Sequence, residues 1–224
     1  MWPKSYVLVT LSEENYLKAI YHLGNQGGET VSTNAIAEQI DTKASSVTDM
    51  IKKLAEKELA NYIKYQGVSL TESGRLTARS VIRKHRLWET FLVNKLNFSW
   101  HEVHDIAEQL EHIKSEKLID KLDDFLENPT HDPHGDPIPD KDGNYTKIKS
   151  KSILDIKTGS QGILISVKDS SKAFLKYLNK NELALGDTIK IIDFEPFDDS
   201  FTIETNSKTM TISKDVAENL YLSV

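Results

Sequence analysis

Between His85 and His112 the chain gathers imidazoles and carboxylates at helical spacing. His85 and Glu89 stand at i, i+4, where side chains meet on a helix surface. After an Asn-Phe-Ser-Trp break, His104, Glu108, Glu111 and His112 follow, and on one continuous helix they would share an arc of about 100°. Three carboxylates and three imidazoles on facing stripes desolvate badly if packed unaided, whereas a divalent cation turns the same cluster into an attraction. The spacing therefore predicts a metal site. The plainer alternative is an exposed acidic helix with solvated histidines.

The elements that must position these residues belong to a chain of 224 residues, 38% hydrophobic and 28% charged, enough for two or three small domains. There is no cysteine, so a disulfide framework, a zinc ribbon and a thiol nucleophile are excluded, and any metal must be held by nitrogen and oxygen. The opening run Met1 to Thr10 is too short in apolar residues to read as a signal peptide. No segment approaches the ~20 apolar residues of a membrane span, and a cytoplasmic protein with no membrane partner is the expectation.

The net charge of -6 hides a strong asymmetry. From Lys43 to Arg86 ten basic residues face only Asp49, Glu56, Glu58 and Glu72. From Glu102 to Asp142 thirteen acidic residues face Lys114, Lys117, Lys121 and Lys141. One part suits phosphate and the other suits a cation.

The basic part is patterned for DNA. Ser12 before Glu13 and Glu14 reads as the cap of a first helix with an apolar stripe of Tyr16, Leu17, Ile20 and Leu23, ending at Gly24. Ser32 or Thr33 opens a short second helix. A tight connection, Asp41 to Ala44, leads into a third, Ser45 to Leu59, with Val47, Ile51 and Leu54 inward and Ser45, Ser46, Thr48 and Asp49 outward. This is the pattern of a helix-turn-helix. Tyr62 to Leu70 then alternates around Gln66-Gly67 as a small hairpin, a wing. Ser45, Ser46 and Thr48 are expected to reach base edges, and Lys43, Lys52, Lys53 and Lys64 to hold phosphates.

With these residues in view, the chain resembles the diphtheria toxin repressor family of metal-dependent transcriptional regulators, which includes the manganese transport regulators. The likeness rests on Arg83-Lys-His-Arg-Leu-Trp-Glu89, Val103-His-Asp-Ile-Ala-Glu-Gln-Leu-Glu-His112 and Gly135-Asp-Pro-Ile-Pro139, in the family's order behind a winged helix. It implies a primary metal site of Asn15, Glu108, Glu111 and His112, and an ancillary site of His85, Glu89 and His104. Two positions depart from the pattern. Family members place Met or Asp where this chain has Asn15, and manganese regulators place Glu where it has Lys18.

The expected fold is mainly α with a small β domain: a winged helix-turn-helix over 1–73, a helical dimerisation and metal-binding domain over 74–145, and an SH3-like β-barrel over 146–224. In the last, strands are read at Ser160–Val167, Thr188–Phe194, Phe201–Thr205 and Thr209–Ile212, with one helix from Ser171 to Asn179. The turn-rich stretch Asn128 to Gly143 reads as an ordered linker, and its His131, Asp132, His134 and Asp136 as linker residues rather than ligands. Asp169 lies near where the resemblance would supply an extra ancillary ligand.

The resemblance implies a homodimeric repressor that binds a palindromic operator in double-stranded DNA when Mn2+, or alternatively Fe2+, enters the cleft. A carboxylate at position 108, where iron responders carry cysteine, favours the harder ion. The competing readings are a metallohydrolase that uses the Glu/His cluster to activate water, and a winged-helix sensor of a non-metal effector.

Overall fold

The computed structural model describes residues 8–146, 149–205 and 208–223, so the N-terminal run through Val7 that was read for a signal peptide lies outside the described residues. The chain divides into two compact units. One comprises residues 1–85, 109–115 and 139–144, and the other 86–108, 116–138 and 145–224. Residues 74–145, expected as one middle domain, are thus shared between the two.

In the first unit, α1 (Leu11–Leu23) is capped by Thr10 rather than Ser12. The Thr10 hydroxyl accepts from the Glu13 amide at 3.3 Å, and the Glu13 carboxylate accepts from the Thr10 amide at 2.7 Å, a capping box that begins the helix two residues early. α2 (Thr33–Gln39) is capped by Ser32. α3 runs Ala44–Glu56, shorter than the expected end at Leu59. Glu58 turns to φ 58° and the Leu59 amide bonds back to the Leu54 carbonyl, which closes the helix and sends Leu59 into the core. Leu17, Ile20, Ile36, Val47, Ile51 and Leu54 are all fully buried, so these stripes face inward, but Leu23, read as the end of the first stripe, is exposed in the last turn of α1.

The wing is β1 (Ala60–Ile63) paired antiparallel with β2 (Gly67–Leu70), Ile63 opposite Gly67. Val31 adds a third short rung by exchanging both backbone bonds with Val68. Gly67 is required there: its φ is 114°, and a Cβ would sit 2.4 Å from the Val31 carbonyl oxygen. Thr71 then accepts from the Gly74 amide and starts α4 (Glu72–Leu96).

The second unit holds α4 from Arg86 onward, α5 (His104–Leu110) as far as Glu108, and α6 (Glu116–Phe125). Leu87, Ile119, Leu122, Leu126 and Ile138 form one small core, each burial stabilising by roughly 1.5–3 kcal/mol. Its larger core lies under a six-stranded sheet built from β3 (Lys151–Ser152), β4 (Gln161–Val167), β5 (Thr188–Glu195), β6 (Ser200–Glu204), β7 (Thr209–Ile212) and β8 (Leu220–Ser223). α7 (Lys172–Lys180) and α8 (Lys214–Ala217) complete it. The order is β3-β8-β4-β5-β6-β7 with every pairing antiparallel. Among the described residues β3 and β7 remain edges, so the sheet is SH3-like but not a closed barrel. Sequence periodicity missed two strands, β3, whose two residues are too few for alternation to register, and β8.

The stretch Asn128 to Gly143 is ordered. His131 bridges Pro137, the Val167 amide of β4 donates to the His134 carbonyl at 3.0 Å, and a Cβ on Gly135 (φ 83°) would fall 2.0 Å from the Ile165 carbonyl oxygen. This close seating on β4 sets the direction of His134.

Candidate metal centre

In the second unit Glu89, on α4, is buried and uses both oxygens. Oε1 lies 3.5 Å from Nδ1 of His104, and Oε2 lies 3.6 Å from Nδ1 of His134. Asp132 approaches the same imidazole at 3.9 Å. Ligand atoms of Glu89, Asp132 and His134 all fall within 4.8 Å of one another, and all three residues are buried. The loop builds this geometry locally. Asp132 Oδ1 accepts from the amides of His134 (2.8 Å) and Asp136 (3.0 Å), which pins the turn, while Oδ2 lies 3.5 Å from Nε of Arg86. Nε2 of His134 donates to the Trp100 carbonyl at 2.8 Å, since a carbonyl can only accept. That bond fixes the tautomer and turns Nδ1 towards the carboxylates, the way second partners orient metal-binding imidazoles.

Electrostatically the cluster is crowded with carboxylates. Burial, with the charges of Asp136 and Glu89, raises the Asp132 carboxyl well above its ordinary range despite Arg86. Burial works against a charged His134, but its hydrogen bond to Glu89 and the charge of Asp132 dominate and lift it to about 9. The site thus draws protons to neutralise itself, and a divalent cation serves the same need with the same donors. Two carboxylates and one imidazole, with His104 beside Glu89, fit manganese- or iron-type ions.

The expected primary set behaves differently. α5 stops at Leu110, so Glu111 and His112 lie in the turn beyond it and not on one helical arc with His104 and Glu108. His104 and Glu108 are half exposed on α5, 3.6 Å apart. Glu111 is wholly buried in the first unit. The Lys18 ammonium donates to its two oxygens at 2.7 and 2.9 Å, and Nδ1 of His85 lies 2.6 Å from Oε2. His112 Nδ1 is 2.6 Å from Oε2 of Glu14, whose other oxygen is 3.8 Å from Lys84. Burial would raise the Glu111 carboxyl, but His85 and Lys18 outweigh it and hold it below its ordinary value. His85 is therefore a partner of Glu111 as well as a neighbour of Glu89 one turn along α4. Asn15 sits half-buried on α1. Asp169 accepts from the Ser171 amide ahead of α7, a turn-forming role.

On sequence, Asp132 and His134 read as linker residues rather than ligands because no helix or strand carries them; what sequence reasoning missed is that they meet Glu89. The signal was present in Asp132-Pro-His-Gly135: proline restrains the residue before it and the positive-φ glycine fixes the one after. It also missed that Lys18 and Glu14, one turn apart on α1, would meet Glu111 and His112.

On α3, Ser45, Ser46, Lys52 and Lys53 are exposed, as are Lys43 before it and Lys64 in the wing. Thr48 is half-buried and its hydroxyl bonds the Ala44 carbonyl, so it presents chiefly its methyl group. Lys43 occupies the cap position with no side-chain cap bond.

Comparison with known proteins agrees with these features. Residues 9–68 match the iron dependent repressor N-terminal DNA binding domain, 71–140 the iron dependent repressor metal binding and dimerisation domain, and 151–224 the FeoA domain. The iron-dependent repressor IdeR of Mycobacterium tuberculosis (strain ATCC 25618 / H37Rv) is 37% identical over 126 residues, 56% of this chain and 54% of IdeR, so the match spans about half of that relative. IdeR of Mycobacterium leprae (strain TN) is 31% identical over 179 residues, 80% of this chain and 69% of that protein. A solved manganese-dependent transcriptional repressor in complex with manganese superposes with a TM-score of 0.84 at 33% identity, covering 95% of this chain and 100% of that one. No helix among the described residues is long and apolar enough to cross a membrane. With a winged helix-turn-helix, a helical metal-binding segment and an SH3-like domain in the same order as these relatives, the chain belongs to the iron-dependent, or diphtheria toxin, repressor family.

Proposed function

We propose that this protein is a metal-dependent transcriptional repressor that senses Mn2+, with Fe2+ the alternative, and represses metal-homeostasis genes in the cytoplasm. The observation that carries the reading is the buried, anion-rich cluster of Glu89, Asp132 and His134 in a chain that also bears a winged helix. Glu89, Asp132 and His134 would hold the ion, with His104 on the other oxygen of Glu89 and His85 one turn away on α4. The ion supplies positive charge that stabilises the DNA-competent arrangement over the open one by its differential affinity. Asn15, Glu108, Glu111 and His112 remain the primary set implied by the family likeness, but Glu111 and His112 are already engaged with the chain's own side chains.

For DNA, exposed Ser45 and Ser46 would reach base edges and Thr48 would offer its methyl group, while Lys43, Lys52, Lys53 and Lys64 hold phosphates. The α3 N-terminus, whose amides take no side-chain cap, suits a phosphate oxygen. Exposed Leu118 and Phe125 on α6, the latter against Phe91, offer an apolar face for a homodimer on a palindromic operator.

A gel shift on promoter fragments across a metal series tests the reading. Retention of a palindromic fragment that requires Mn2+ or Fe2+ is the expected result. Metal-independent retention would point to another effector, and hydrolysis without DNA binding to an enzyme.

A further inference from the structure

We infer that Lys18 is a built-in cation that takes the place of a metal ion at Glu111, so that this chain carries one regulatory metal site, at Glu89, Asp132 and His134, and not two. The inference rests on the metal-sensing reading above.

The residues that the family likeness assigns to the primary site do not fit a metal as they are arranged. Both Glu111 oxygens are satisfied by the Lys18 ammonium, at 2.7 and 2.9 Å, and Oε2 also meets Nδ1 of His85 at 2.6 Å. His112 Nδ1, the other strong donor, faces Glu14 at 2.6 Å, and Glu14 in turn lies 3.8 Å from Lys84. The set forms two runs of polar contacts, Lys18–Glu111–His85 and Lys84–Glu14–His112, which meet where Nε2 of His112 lies 3.7 Å from Oε1 of Glu111. α1, the part of α4 up to His85 and the turn after α5 are held together by it within one compact unit. A bidentate ammonium on a fully buried carboxylate supplies the positive charge and fills the position that a cation would need. Glu89, Asp132 and His134 contrast with this: both buried carboxylates there face Nδ1 of His134, at 3.6 and 3.9 Å, and Arg86 lies 3.5 Å from Asp132. Metal control would then act through that cluster alone, while α1 stays fastened in every state.

The test is metal stoichiometry. The metal-stripped full chain is equilibrated with excess Mn2+, desalted, and its bound manganese measured by atomic emission, with circular dichroism to verify folding. The parent is expected to retain one Mn2+ per chain, lost in Glu89→Gln and kept in Glu111→Gln. Lys18→Glu replaces the ammonium with a ligand, and should gain a second Mn2+ and require the metal for full thermal stability. Lys18→Met, which removes only the charge, should also gain one and serves if Lys18→Glu does not fold. Two Mn2+ in the parent, one of them lost in Glu111→Gln, would overturn the inference, as would folded Lys18 variants that gain none. A parent that binds no Mn2+ while Lys18→Glu binds one would uphold the role of Lys18 and instead remove the metal-sensing reading of the Glu89 cluster.

Discussion

The two buried polar clusters use the same residue types to opposite ends. Around Glu111 the carboxylates are matched by Lys18 and Lys84, and the carboxyl of Glu111 is held below its ordinary value. Around Glu89 lie the imidazoles of His104 at 3.5 Å and His134 at 3.6 Å, Arg86 meets Asp132 instead, and the Asp132 carboxyl is driven up. On the proposed reading, an ammonium delivered by the fold makes one cluster a permanent fastening, whereas the two buried carboxylates beside an imidazole make the other a place for a cation. Residue identity alone does not separate a metal site from an ion-pair network; the local balance of charge does.

The contrast is broken most directly at the ligands. Glu89→Gln should weaken Mn2+ binding by more than about 100-fold, beyond the usual cost of losing only an outer partner, while Glu111→Gln leaves the affinity near that of the parent. Isothermal titration of each variant with Mn2+ measures both; equal losses would erase the distinction.

A thermodynamic cycle sharpens the other side. Lys18→Met leaves a buried carboxylate with less positive charge, and a loss of about 3 kcal/mol in urea unfolding is expected, at the low end for a broken buried pair because Lys18 is partly exposed. Glu111→Gln should cost a similar amount. The double variant should cost clearly less than the sum, since the two residues share one interaction. Strict additivity would mean that the pair contributes nothing beyond packing.

The smallest effect is on pH dependence. The folded Glu111 carboxyl lies below its ordinary value of 4.5, so its contribution to stability is fully present above that pH and fades as the pH falls through the folded value. In metal-free protein the slope of unfolding free energy between about pH 5 and 3 should be shallower in Glu111→Gln, by up to about 1.4 kcal/mol per pH unit. Identical slopes would show that Glu111 is not a paired carboxylate in solution.

Much of this molecule was legible in its sequence. The apolar spacing of Leu17 and Ile20, and of Val47, Ile51 and Leu54, determined the helices and their buried faces, because periodicity is a local property that tertiary contacts reinforce. The wing followed from alternation around Gly67, the SH3-like sheet from alternation after Gln161, and the presence of His and Glu at ligand spacing from counting along the chain. Which charges those residues face was decided only by the tertiary structure. Lys18 and Glu111 are 93 positions apart, and the Glu89 cluster needs a loop beyond position 130 seated on β4. A carboxylate's role depends on the field from neighbours brought by folding, and that field has no periodicity along the chain for sequence reading to detect.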